Sequence, residues 1–203
     1  MGVTLLLVII TAVISFFALN NADMMSKWMF KPFMVKKKNE YYRFVSSGFI
    51  HADFMHLIFN MFTLYFAGQF LEQVFEGWFG PIGILLFVVM YILGIVVSDI
   101  PTYIKHNKDF DYNGLGASGG VAAILFAFIL IAPTQEIRIY FIPMPAVVFG
   151  VLYLVYSYFQ GKRGGDNINH DAHFYGALFG ILFTVAVHPS VLSEFVFQIL
   201  NWR

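Results

Sequence analysis

The chain has no cysteine, so disulfides, thiolate nucleophiles and thiolate metal ligands are excluded. Charge is scarce as well: Asp, Glu, Lys and Arg make up 12% of 203 residues, against about 25% in soluble domains. The net charge is zero, so no basic field points to nucleic acid. No stretch reads His-Glu-x-x-His, the helix signature a zinc-dependent intramembrane protease needs. No Ser-, Gly- or Pro-rich linker divides the chain, which reads as one domain over 1–203.

What is present is long apolar runs. Six windows carry no Asp, Glu, Lys or Arg: 1–22, 54–71, 77–98, 112–135, 139–161 and 172–193. They cover 131 residues, which crowds all the charges into the remaining 72. A spanning helix needs roughly 20 largely apolar residues, so the expected fold is an all-α polytopic membrane protein with six transmembrane helices. A soluble helical protein would show polar stripes facing water, and Ile82–Val97 shows none. The first window lacks the basic start and small-residue cleavage site of a signal peptide and is expected to be helix 1. The lipid bilayer is therefore the first expected partner.

Between the first two windows, residues 20–53 mix six Lys or Arg with many aromatics (Trp28, Phe30, Phe33, Tyr41, Tyr42, Phe44, Phe49). That mixture predicts a folded element at the lipid headgroups. The second helix is expected over Phe54–Leu71, the third to end near Ser98, the fourth to start within Gly114–Gly120, the fifth to lie inside Ile139–Phe159, and the sixth to run over Asp171–Val187. A mobile loop is expected over Gly161–Asn169, and a short interfacial tail over 191–203.

Polar side chains inside membrane helices are costly and so become functional candidates. They fall on alternate helices: His56 and Asn60 on the second, with His51 just before it, Ser118 on the fourth, and His173 on the sixth. Helices 1, 3 and 5 offer nothing comparable. In an up-and-down bundle helices 2, 4 and 6 run the same way, so these residues share one side and a similar depth. His56 and Asn60, four apart, share a helix face. Gly116-x-x-x-Gly120 and Gly176-x-x-x-Gly180 are patterns that let helix backbones approach, and a short serine needs such closeness to reach a histidine.

Together the residues fit acyl transfer. Ser118 would be the nucleophile and His173 the general base. Backbone N–H groups at the Ser118 helix start, with His56 and Asn60, would face the oxyanion. No metal or cofactor is required. Histidine-only metal transport through His51, His56, His170 and His173 is the alternative chemistry, but no membrane carboxylate assists it.

These motifs resemble the rhomboid intramembrane serine proteases. The resemblance rests on His51, on His56-Leu57-Ile58-Phe59-Asn60, on Gly116-Ala117-Ser118-Gly119, and on Ala172-His173 followed by Gly176 and Gly180. It implies a six-helix fold with its site open to the outer face of a cell inner membrane, and transmembrane segments of other proteins as substrates. It implies a Ser118–His173 dyad, an oxyanion hole from His56, Asn60 and the Ser118 N–H, and supporting roles for His51, Gly116, Gly119 and Gly176. Glu72 matches an acidic residue that ends helix 2 in the family. Two features depart from the pattern. Ala122 stands where many members have an aromatic ring against the histidine, a place Tyr175 or a helix-2 aromatic could fill. Ten of the twelve Lys and Arg fall on the expected outer side, against the positive-inside rule. The alternative within this family is a catalytically weak or inactive binder or chaperone of membrane segments.

Overall fold

The computed structural model describes residues 2–139, 141–163, 165 and 168–202. Helix α1 spans Val3–Leu19. Its outward side chains are large and apolar (Leu6, Ile9, Ile10, Val13, Phe16, Phe17), whereas its buried ones include Thr4, Thr11, Ser15 and Ala18. This is the reverse of a water-facing helix and suits a hydrocarbon solvent.

The connection that follows is folded, as the mixture of rings and cations predicts. Helices α2 (Ala22–Trp28), α3 (Pro32–Lys38) and α4 (Arg43–Ser46) lead into a 3-10 turn over Ser47–Phe49. Its anchor is Arg43, a buried cation that donates to Glu40 Oε2 at 2.6 Å and to the carbonyls of Ser26 at 3.1 Å and Met29 at 2.7 Å. Removing these acceptors would strand a charge away from water.

Helix α5 runs Phe54–Phe79, past the expected end at Leu71. Two glutamates are therefore carried inside the helix. Glu72 does not end it: its carboxylate accepts the N–H groups of Val3 at 2.7 Å and Thr4 at 2.8 Å. These are orphan donors of the α1 N-terminus, where an anion is also favoured by the helix dipole. Gly80, at φ +61, turns the chain into α6, where a side chain would be strained. Helix α6, Pro81–His106, continues beyond Ser98 through Asp99 and Pro101, so the following loop is shorter than the charge pattern suggests.

Helix α7, Ser118–Ile131, has 14 residues, about 21 Å at 1.5 Å per residue. It is buried on nearly every side between α5, α6 and α9, so its short length need not match a bilayer. An antiparallel hairpin follows, β1 (Glu136–Ile139) and β2 (Ile142–Pro145). The expected fifth helix thus begins only after it, as α8 (Ala146–Arg163). Helix α9 spans His170–Val187 and α10 spans Val191–Leu200, the latter exposing Leu192, Val196, Phe197 and Leu200. Of the loop expected to be mobile, Gly161 to Arg163 belong to α8, and Gly164, Asp166 and Asn167 lie outside the described residues.

Among the described residues, α5, α6 and α9 are long and apolar enough to cross a membrane, and α1, α7 and α10 are shorter apolar helices. The protein is an integral membrane protein of mostly helical structure.

Candidate active site

The core of the site is a backbone-to-backbone contact. A Cβ on Gly176 of α9 would collide with the carbonyl of Gly119 on α7, and one on Gly180 with the carbonyl of Ala123. Paired in this order, the two helices run parallel, and only glycine permits the approach. On the other side of α7, a Cβ on Gly94 of α6 would sit 2.9 Å from Ala123 Cβ and 3.1 Å from Gly120 Cα, while one on Gly119 would collide with Ser98. That pairing is antiparallel, so α7 lies clamped between two helices by small residues.

This contact sets the depth of the two reactive candidates. Ser118 directly precedes Gly119 and opens α7. His173 lies three residues before Gly176, one turn toward the α9 N-terminus on the same side. Both are half-buried. His56 comes in from α5: a Cβ on Gly116 would meet its imidazole at 2.6 Å, and Gly116 itself holds φ +117. The ring thus rests two residues from Ser118. Asn60, one turn further along α5, uses its amide Nδ2 to donate to the His56 carbonyl at 2.9 Å, and among the described residues no acceptor meets the second N–H of that amide.

His51 is fully buried and holds the loop that leads into Ser118. Its Nε2 accepts from the Ala117 N–H at 3.4 Å, a long bond, and its Nδ1 lies 2.8 Å from Ser15 Oγ, which also reaches the Phe49 carbonyl at 2.9 Å. A ring that accepts at Nε2 must carry its proton on Nδ1 when neutral, so the order of donation is Ala117 to His51 to Ser15 to Phe49. Burial above all, and then the neighbouring His56, push the His51 pKa down to about 3; the ring is neutral at physiological pH. Its ring meets that of His56 edge-on at 4.9 Å.

Other residues fall as follows. Asp171 pairs with Lys105 at 3.4 Å. His170 is not a loop residue: it is the buried first residue of α9, with its ring 5.8 Å from that of His173. Asn169 caps α9 through the Ala172 N–H at 3.1 Å and exchanges hydrogen bonds with Thr102 of α6. Among the described residues, the ring stacked on His173 comes neither from Tyr175, which is exposed and set against Phe174, nor from α5. It is Tyr153 of α8, stacked at 6.0 Å and 26°.

Sequence reasoning therefore missed contributions from α1, α6 and α8. Ser15 and Tyr153 gave no signal, since small hydroxyls and aromatics are ordinary in membrane helices. Asp99 did: it is a charge at the edge of an apolar window, and it lines the same cleft as Ser118.

The family model described as the Rhomboid domain matches residues 38–190. The chain is 25% identical over 184 residues to the "Rhomboid protease GlpG" of Yersinia pestis, covering 88% of this chain and 60% of that one. It is 28% identical over 179 residues to "Rhomboid-related protein 1" of Caenorhabditis elegans, covering 84% and 46%. It is 27% identical over 164 residues to "RHOMBOID-like protein 12, mitochondrial" of Arabidopsis thaliana, covering 74% and 49%. The chain thus spans about half the length of these relatives, 60% at most.

Proposed function

The chain belongs to the rhomboid family, which includes intramembrane serine proteases, and on that premise we propose that it is a serine endopeptidase cutting transmembrane segments of other membrane proteins. Ser118 Oγ attacks the scissile carbonyl while His173 takes its proton, then returns it to the leaving amine. Water repeats the cycle to free the acyl-enzyme. The developing oxyanion is met by the Ser118 N–H, the His56 ring and the second N–H of Asn60. His51, Gly116, Gly119 and Gly176 support this set by holding the Ser118 loop and letting α7 and α9 touch. Stacking by Tyr153 and the packing of α9 help to orient His173.

The observation that carries this reading is the Gly119–Gly176 contact, with His56 seated on Gly116 beside it. It draws the starts of α5, α7 and α9 to one level. The retained serine and histidine favour an enzyme over a binder that holds segments without cutting. The same reading takes 1–203 as one unit in which α1, α5, α6, α7, α8 and α9 make six spans. It places the site on the outer side of a cell inner membrane.

A fluorophosphonate probe tests the nucleophile directly. The wild type is expected to be labelled at Ser118, with labelling lost in Ser118→Ala and at least ~100-fold slower in His173→Ala, as for removal of a general base. Equal labelling of wild type and His173→Ala would defeat the dyad.

A further inference from the structure

The connection between α1 and α5 carries five lysines, Lys27, Lys31, Lys36, Lys37 and Lys38, and the fold supplies almost no anions to meet them. Of the acids in the same stretch, Glu40 is spent on Arg43 at 2.6 Å, and Asp53 caps α5 by accepting the His56 N–H at 2.8 Å. Only Asp23 remains. Lys31 and Lys36 find partners, but neutral ones: Ser26 Oγ at 2.8 Å and Asn107 Oδ1 at 2.7 Å. Lys27, Lys37 and Lys38 are exposed, and among the described residues their ammonium groups meet no acceptor. The lysines sit close together. Lys31 caps α3 at one end and Lys36 to Lys38 form its last turn, about 10 Å away at 1.5 Å per residue.

Where this patch lies follows from its ends. α2 begins three residues after Leu19, and the last turn of α1 exposes Phe16 and Phe17, while α5 opens with Phe54 and Met55 exposed. The Lys36–Asn107 bond sets the end of α3 beside the last turn of α6, where Ile104 is 67% exposed. These apolar side chains mark the edge of the hydrocarbon, so the lysines stand at the headgroups. Rings stand among them: Tyr41 and Tyr42 are exposed, and the Tyr42 hydroxyl donates to the Lys27 carbonyl at 3.2 Å. Water alone would suit the lysines but not these rings, whereas a membrane surface suits both. We propose that this face of α2 and α3 binds anionic phospholipid headgroups in the leaflet that borders the candidate site, with Lys27, Lys37 and Lys38 meeting the phosphates. Each lysine near an anionic surface adds an attraction that falls off within a Debye length. A zwitterionic headgroup carries its own cation beside the phosphate and gains less. Under the proposed orientation, the lipid also gives a partner to cations that run against the positive-inside rule. None of this depends on the chemistry at Ser118.

The test uses the full chain in liposomes, with Trp28, the neighbour of Lys27, kept as the sole tryptophan by Trp78→Phe and Trp202→Phe. The liposomes hold phosphatidylglycerol and phosphatidylcholine in equal amounts, and one or the other carries bromine near the headgroup end of its acyl chains. Bromine quenches tryptophan at short range, so the ratio of the two quenching efficiencies reads which lipid gathers beside Trp28. The ratio is expected to favour phosphatidylglycerol about fivefold at low salt, the effect of one lysine near an anionic surface, and to fall toward one in molar salt. A chain that keeps only Trp78, at the far end of α5, is expected to show no such preference. Lys27→Gln, Lys37→Gln and Lys38→Gln combined should bring the Trp28 ratio close to one, while the same three positions changed to Arg should preserve it. Three results would each overturn the proposal: a Trp28 ratio near one, a ratio unchanged in the glutamine variant, or an equal preference at Trp78. Absence of quenching at Trp28 by either lipid would do the same, since it would place α2 beyond the reach of the bilayer.

Discussion

His51 has no room for a charge. It is sealed between α1 and the Ser118 loop, and both its ring nitrogens are engaged as a neutral imidazole. With a folded pKa near 3 against an ordinary 6.5, the unfolded chain binds more protons than the native one between those values. The stabilisation from the neutral ring is therefore complete above pH 6.5 and is lost as the pH falls toward 3, by about 1.4 kcal/mol per unit. His51→Gln keeps an acceptor and a donor but cannot titrate. Thermal unfolding in detergent should show a shallower acid slope for this variant between pH 6.5 and 3; an identical slope would mean another group controls it. Glu72 belongs to the same scale. Glu72→Gln loses a charge on the α1 N-terminus and one of two good acceptors, and should cost about 1–3 kcal/mol of stability in the same assay.

Elements meet here where side chains are absent. Because Gly176 and Gly180 face backbone and not flexible side chains, Gly180→Val leaves α7 and α9 no way to stay in contact. It should cost several kcal/mol, at or beyond the ~1–3 kcal/mol usual for overpacking, read as a large drop in Tm. Gly77, also helical, has nothing within 4 Å, and Gly77→Ala should gain about 0.5–1 kcal/mol. Helix α8 acts differently, by lending Tyr153 to His173. If that ring positions the base, Tyr153→Leu should lower kcat about two- to tenfold, from the ~0.5–1.5 kcal/mol of an aromatic pair, while KM holds and Tyr153→Phe stays near wild type. A fall confined to KM would make Tyr153 a substrate contact. The apolar windows made the helices legible, and alternate placement of Ser118, His56 and His173 made the candidate site legible. Helix ends were not, because a charge in a sequence reads as water-facing even where the fold buries it. Glu72 and Asp99 are charges inside helices, the first satisfied by another helix and the second turned into a cleft. The hairpin before α8 was readable only from Pro143 and Pro145, which disfavour a helix interior. Tyr153 looked like its neighbours Tyr156 and Tyr158.

For the whole molecule, the order of contacts gives direction. α5, α7 and α9 start on one side, with His56 against Gly116 and Gly119 against Gly176, while α1 begins at the far side beside Glu72. The side carrying the site also holds most of the basic residues, but several are tied into the fold: Arg43 in carbonyls and Glu40, Lys36 on Asn107, Lys105 on Asp171. A chain without cysteine offers a clean test of sidedness. Lys108→Cys and Arg138→Cys should label from opposite faces of sealed cells, Lys108→Cys from outside under the proposed orientation. The proposed function rests on one claim, that Ser118 and His173 cut membrane segments. The most direct measurement is cleavage of a tagged transmembrane substrate in liposomes by wild type, Ser118→Ala and His173→Ala. The account predicts cleavage by the wild type alone, and equal cleavage by all three would contradict it.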